Sequence, residues 1–383
     1  MSTTAHTHPL EIKDVDRAFY ADRLADFLPA RVIDVHAHVW RQEFVHHAHL
    51  AEASPISSPT WPERVAEENP IEDLLHTYRL LLPGQEVTPL IFGIPRRNVD
   101  LEAMNDYVSQ VASQYRLGGA HATGPGRHPP RPDRSKPDLS GQLPRRGLPA
   151  LIVSTPEWPA GELERRVNAG GFLGLKPYLS FAPPHIPADE VTIPDFLPHS
   201  HLQVADAHGW IVMLHIPRPA RLRDPLNLAQ MIEIERRYPH IHLIVAHIGR
   251  AYCPEDVGDA FDLLQGSEKM LFDFSAHTNA WVMERLIRAV GPRRILFGSD
   301  MPILRMRMRR ICEGGRYVNL VPPGLYGDIS GDPHMREVSQ EEGARLSFFL
   351  YEELLAFRQA AEATGLGTTD LEDVFYNNAA RLI

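Results

Sequence analysis

The hydrophobic positions of this chain fall into two alternating textures. Short apolar, β-branched runs read as strands. RVIDV at residues 31–35 is the first, and VTPLIFG at 87–93 the second, although Pro89 blurs it. ALIVS (150–154), GFLGLKPYL (171–179), GWIVMLHI (209–216), HIHLIVAHI (240–248), MLFDFSA (270–276) and RILFGSD (294–300) bring the total to eight. Between most of them, apolar residues recur at helical spacing. PIEDLLHTYRLLL covers 70–82, and LEAMNDYVSQVASQY puts Leu101, Met104, Val108 and Val111 on one face. NLAQMIEIERRY precedes the sixth run and AWVMERLIRAV the eighth. Eight apolar strands alternating with helices predict a parallel sheet closed into a (β/α)8 TIM barrel, an α/β fold. An open doubly wound sheet would require a glycine-rich phosphate loop after the first strand, and none is present. The expected organisation is an N-terminal extension over 1–30 and a single barrel domain over 31–383.

Three stretches depart from that rhythm. Residues 41–61 look like a loop excursion, and the histidines of its HHAH cluster (His46, His47, His49) read as solvated. Residues 117–146, LGGAHATGPGRHPPRPDRSKPDLSGQLPRR, contain almost no aliphatic side chains. Such a composition cannot bury enough apolar area to offset the entropy of ordering it. Its abrupt edges admit either a long loop or a frameshifted insertion, and no function is assigned to it. Residues 301–338 read as a lid-like loop whose Arg305, Arg307, Arg309, Arg310 and Arg316 suit an anionic substrate or a subunit contact.

Composition narrows the partners. The 383 residues carry a formal net charge of -10, which argues against nucleic acid or an anionic membrane. The mean hydropathy of -0.25 is that of a water-soluble chain, and no stretch is long enough to span a bilayer. Two cysteines, Cys253 and Cys312, exclude a disulfide framework and suit a reducing cytoplasm. No signal-peptide core is evident, so the expectation is a cytoplasmic protein.

Candidate chemistry collects at the C-terminal ends of the strands. His36 and His38 stand two apart, so on a strand they project to the same side. His215 ends the fifth run, His247 the sixth and Asp300 the eighth. In a barrel these ends share the face that carries catalysis. Imidazole nitrogen and carboxylate oxygen without thiolate suit Zn²⁺, Mn²⁺ or Fe²⁺ with a position open to water. Arg218 and Arg250 each follow a strand-end histidine by three residues and could clamp a substrate carboxylate or pair with a neighbouring loop. His277 and Asn279 follow the seventh run and could line the pocket. His201 and His208 fall on a helix and read as surface or helix-end residues.

The ordered set VIDVHAHVW, GLKPYL, IVMLHIP, LIVAHIGR and LFGSDMP, with the closing VFYNNAARLI, resembles the amidohydrolase superfamily. Within it the set is similar to the amidohydrolase-related branch that includes aminocarboxymuconate semialdehyde decarboxylase and lactone hydrolases. The resemblance implies His36, His38, His215 and Asp300 as ligands of one divalent metal per chain, zinc first. It leaves His247 unligated as acid/base or carbonyl-polarising group, with Asp300 as the second catalytic residue. Lys176 lies where binuclear relatives carry a carboxylated lysine; unmodified, it is a substrate-binding candidate with Arg218, Arg250 and His277. A homodimer is also implied. Three functions stay open. The first is a hydrolase of a C–O or C–N bond in a small carboxylated compound. The others are a non-oxidative decarboxylase and a metal-free ligand-binding descendant.

Overall fold

The computed structural model describes residues 10–46, 61–115 and 147–383. The 117–146 stretch lies outside the described residues, as do His47 and His49, whereas His46 is described and exposed. Eight parallel strands form the centre: β1 (Arg31–His38), β2 (Glu86–Phe92), β3 (Ile152–Ser154), β4 (Gly174–Pro177), β5 (Ile211–Leu214), β6 (His242–Val245), β7 (Leu271–Asp273) and β8 (Ile295–Leu296). β3 to β8 pair in sequence order, and β1 pairs with β2. Two seams join these sheets. Ile91 N donates to Pro149 O and Leu151 N to Ile91 O, both at 3.0 Å; Val35 N donates to Phe297 O at 3.0 Å and His38 N to Met301 O at 2.9 Å. These bonds carry the strand order round to its start, as the alternation of textures predicts.

Each strand is followed by a helix: α1 (Ile71–Leu81), α2 (Leu101–Gln114), α3 (Ala160–Gly170), α4 (His199–His208), α5 (Pro225–Arg237), the short α6 (Ala260–Leu264), α7 (Ala280–Val290) and α8 (Phe349–Thr364). Local chemistry sets their ends. Asp100 caps α2 by accepting from Ala103 N, and Asn279 caps α7 by accepting from Val282 N. Asp224 caps α5 through Leu226 N and Asn227 N, with Pro225 at the first helical position. Asn279, read from sequence as a pocket residue, therefore serves as a helix cap.

Strand periodicity divides the core in two. Ile33, Val35, Leu90, Leu151, Val153, Ile211, Met213 and Ile244 fill the barrel interior. Their alternating neighbours Val32, Ile91, Ile152, Val212, Leu243 and Val245 pack outward on the helices.

β3 to β8 are shorter than the apolar runs that predict them, because barrel pairing stops where the chain bends into the next connection, whereas β1 runs three residues beyond its predicted end. Residues 301–338 contain a three-stranded sheet: β9 (Arg309–Glu313), β10 (Arg316–Val321) and β11 (Met335–Glu337), in the order β11-β10-β9. Cys253 and Cys312 are joined by a disulfide with Cα atoms 5.9 Å apart. The reading of the two cysteines as a sign of a reducing compartment is thereby corrected: β9 folds back onto the connection after β6 and brings them together. His201 is also corrected, being fully buried on α4 with Nε2 2.7 Å from Trp158 O. His208 does lie exposed at the helix end, against Glu164. Among the described residues no helix is long and apolar enough to cross a membrane.

Candidate metal centre

A bulge in β1 aims the first two histidines. The register runs Asp34 opposite Pro89 and then Ala37 opposite Ile91, so β1 carries one extra residue there. Without it Ala37 would follow Ile33 and Val35 inward. With it Ala37 packs outward and His36 and His38 line the cavity at the barrel mouth. Asp34 holds the bend by accepting from His36 N and Ser299 N, each at 2.9 Å, and from Tyr78 OH at 2.6 Å. Burial pushes its carboxyl up to about 6, although these hydrogen bonds oppose the shift. The wall beside it is tight: a Cβ on Gly298 would sit 2.9 Å from His36 Cβ.

His36, His38 and Asp300 place donor atoms within 4.8 Å of one another. His36 Nε2 lies 3.5 Å and His38 Nε2 3.3 Å from Asp300 Oδ1. The far side of each ring determines what those nitrogens offer. His38 Nδ1 is 3.0 Å from Gly93 O, and His36 Nδ1 is 3.0 Å from Asp273 Oδ2. A carbonyl or carboxylate oxygen can only accept, so each Nδ1 carries a proton, and a ring whose one proton sits there turns its Nε2 lone pair toward Asp300. Burial holds His36 down to about 3, with the Lys176 charge adding to it, so this ring is neutral at ordinary pH. Lone pairs facing a carboxylate call for a cation between them, so the donor set fits a divalent metal. Asp300 is ionised. Burial would raise its carboxyl, but the surrounding histidines hold it below the usual range.

His247 stands beside this trio, its ring centroid 4.8 Å from that of His36. Its Nδ1 is 3.0 Å from Ser275 O, and its backbone N donates to Asp273 Oδ1 at 2.9 Å. The backbone is left-handed at His247 (φ 56°) and Asp300 (φ 50°). This conformation costs roughly 1–2 kcal/mol in a non-glycine residue and turns both side chains over the mouth. His215 lines the same cavity with its centroid 5.3 Å from that of His247, but its nitrogens lie outside the tight donor group. Its Nδ1 is buried without a partner, and burial keeps the ring well below its ordinary pKa.

Lys176 is fully buried with Nζ 3.3 Å from His36 Nε2 and 5.0 Å from the Phe92 ring centre. Burial lowers it to about 8, against the pull of Asp273 and Asp300. The other substrate-binding candidates are engaged elsewhere. Arg218 Nε donates to the cap residue Asp224 at 3.0 Å. Arg250 Nη1 reaches Ile216 O at 3.4 Å and Pro217 O at 3.3 Å. His277 is buried with Nε2 2.6 Å from Ala251 O. None of these three lines the cavity, which holds about 360 Å³. Of the five arginines at 305–316, only Arg310 does.

Sequence reasoning missed Asp273, Ser275 and the aromatic wall of Tyr178, Tyr252 and Tyr317. Asp273 accepts from His36 Nδ1, His247 N, Ser275 N and Ser275 Oγ, and so orients both histidines. A lone acid inside the apolar run MLFDFSA was the available signal.

Residues 140–310 match the family model described as Amidohydrolase. No curated protein matches the chain. A solved amidohydrolase from Burkholderia multivorans is similar at 14% identity and TM-score 0.51, over 92% of this chain and 99% of that one. A candidate 2-pyrone-4,6-dicarboxylic acid hydrolase from Pseudomonas putida aligns at 14% identity and TM-score 0.47, over 93% and 98%. A 2,6-dihydroxybenzoate decarboxylase from Rhizobium aligns at 15% identity and TM-score 0.46, over 93% and 98%. At such identities the first of these likenesses is one of fold.

Proposed function

We propose that the chain is an enzyme of the amidohydrolase kind that its family-model match over residues 140–310 suggests, a metal-dependent hydrolase of a C–O or C–N bond in a small carboxylated compound. One observation carries the metal: the Nε2 lone pairs of His36 and His38 converge on the ionised Asp300, each ring locked from behind by an acceptor. His36, His38 and Asp300 would hold one divalent ion, with His215 completing the set from the cavity wall. The donors suit zinc, with manganese and iron as alternatives. When bound, such an ion supplies charge stabilisation and an acidified water.

The remaining work belongs to the chain. Asp300 accepts a proton from attacking water and returns it to the leaving group. His247, whose Nδ1 donates to Ser275 O, faces the substrate with Nε2 and, once it has taken a proton there, stabilises negative charge developing on the substrate oxygen. Decarboxylation would use the same residues, so the reaction has to be read from products. The test is metal analysis of the purified chain beside a screen of lactones, amides and aromatic carboxylates. One divalent ion per chain with lactone or amide turnover is the expected result. CO₂ release from a carboxylate would replace hydrolase with decarboxylase, and a chain without metal would remove both. His38→Ala should lose the metal. His247→Asn should keep it while turnover falls by roughly 10²–10⁴-fold.

A further inference from the structure

Arg310 is held on the cavity wall by partners that supply it no counter-charge. It sits on β9 opposite Asn319 of β10. Its Nε donates to Asn319 Oδ1 at 2.8 Å and its Nη1 to Ala276 O at 2.5 Å. Three rings surround the guanidinium, with centroids at 4.7 Å (Tyr252), 4.5 Å (Tyr317) and 4.6 Å (Phe349). These contacts fix the group and desolvate it, yet every one of them is neutral. Among the described residues no carboxylate forms an ion pair with Arg310, and Nη2 makes no hydrogen bond. The residue lies on the cavity wall, which carries Arg96, Lys176 and Arg310 against the single carboxylate Asp300. A held, desolvated cation without a counter-ion costs free energy that a bound anion would recover. Two other buried arginines have such partners, Arg307 with Asp16 and Arg221 with Asp256, whereas Arg305 is bonded to the neutral Asn69 away from the cavity wall.

We propose that Arg310 is a specificity residue that binds a substrate carboxylate through Nη2, with the Tyr252–Tyr317 pair, in edge contact at 5.0 Å, forming one aromatic wall beside a planar body of about one ring. The volume of about 360 Å³ is that of a one-ring compound rather than a polymer. The carboxylate so held is separate from the bond processed at His36, His38 and Asp300. This assignment rests on the reading of the cavity as the substrate site but does not require the metal.

The test uses benzoate and its uncharged isostere benzamide, titrated calorimetrically into the full chain after chelation and dialysis. Wild-type chain should bind benzoate about 10-fold or more tightly than benzamide. Arg310→Gln should remove that preference while leaving benzamide binding, Tm and metal uptake unchanged. Arg310→Lys should restore part of it, and Arg96→Gln should leave most of it. Equal binding of the two probes by wild type, or an unchanged preference in folded Arg310→Gln, would overturn the proposal. If the glutamine variant does not fold, the wild-type comparison and the lysine variant still decide. The metal reading fails on metal content alone, and this one on benzoate recognition alone.

Discussion

At the scale of single residues, the centre depends on groups that never face the cavity. Asp273 receives four hydrogen-bond donors, two from Ser275 and one each from His36 and His247. A carboxylate accepts all four, whereas an amide would turn N–H groups against one of them. Asp273→Asn should therefore weaken divalent-metal affinity by roughly 10–100-fold through the orientation of His36, with every candidate ligand still in place, read by competition with a chelator. Glu353 poses a different case. It is buried, Oε2 accepts from His277 N at 3.4 Å, and Oε1 has no partner. Burial raises its carboxyl well above 4.5. The folded chain then keeps a proton that the unfolded chain has lost, so this group's stability contribution is complete below the unfolded pKa. It declines as pH rises toward the folded value, by at most about 1.4 kcal/mol per pH unit. Glu353→Gln removes that slope. The variant's advantage in chemical denaturation should grow as pH rises above about 4.5, and a pH-independent difference would contradict the burial argument.

At the scale of elements, the small sheet after β8 is bound to the barrel by buried charge. Arg307 donates through Nη1 to Asp16 Oδ1 at 2.8 Å and through Nη2 to Asp16 Oδ2 at 2.7 Å. Asp16 belongs to the N-terminal helix Asp14–Arg23 and also accepts from Ser347 Oγ at 2.7 Å. Both charges are nearly inaccessible to water, so removing one leaves the other uncompensated. Arg307→Met should cost about 3–5 kcal/mol of unfolding free energy. The double variant with Asp16→Asn should recover part of it, because the two sites share one interaction. Arg305 is likewise consumed by Asn69. An arginine-rich segment that reads as one anionic-substrate surface thus splits into structural anchors and a single cavity residue, and periodicity carries no sign of which is which.

At the scale of the whole molecule, the fold was legible because barrel strands must be apolar on both faces. VIDV, IVML and LIVA announce themselves without any partner. The candidate ligands were legible for the same reason, since a histidine or aspartate closing an apolar run stands at a strand end. Other features depend on distant contacts. The β1 bulge appears only against the register of β2, and Arg218 could be assigned to Asp224 rather than the cavity only once the turn before α5 was seen. The cysteines belong with these. The Cys253–Cys312 bond closes a loop across a sequence separation of 59 and ties the hairpin bearing Arg310 to the connection after β6. Closing a loop of that length removes unfolded-state entropy worth about 4 kcal/mol in the chain-entropy view. Chain purified without reductant should give no free thiol under denaturing titration, and a non-reduced peptide map should contain the linked pair. Cys312→Ser should lower the denaturation midpoint toward that limit, and reductant should shift wild type to the same midpoint while leaving the variant unmoved. Two free thiols in oxidised wild-type chain would show that the hairpin is held by its side-chain contacts alone, and Arg310 would then owe its position to Asn319, Ala276 and the three rings.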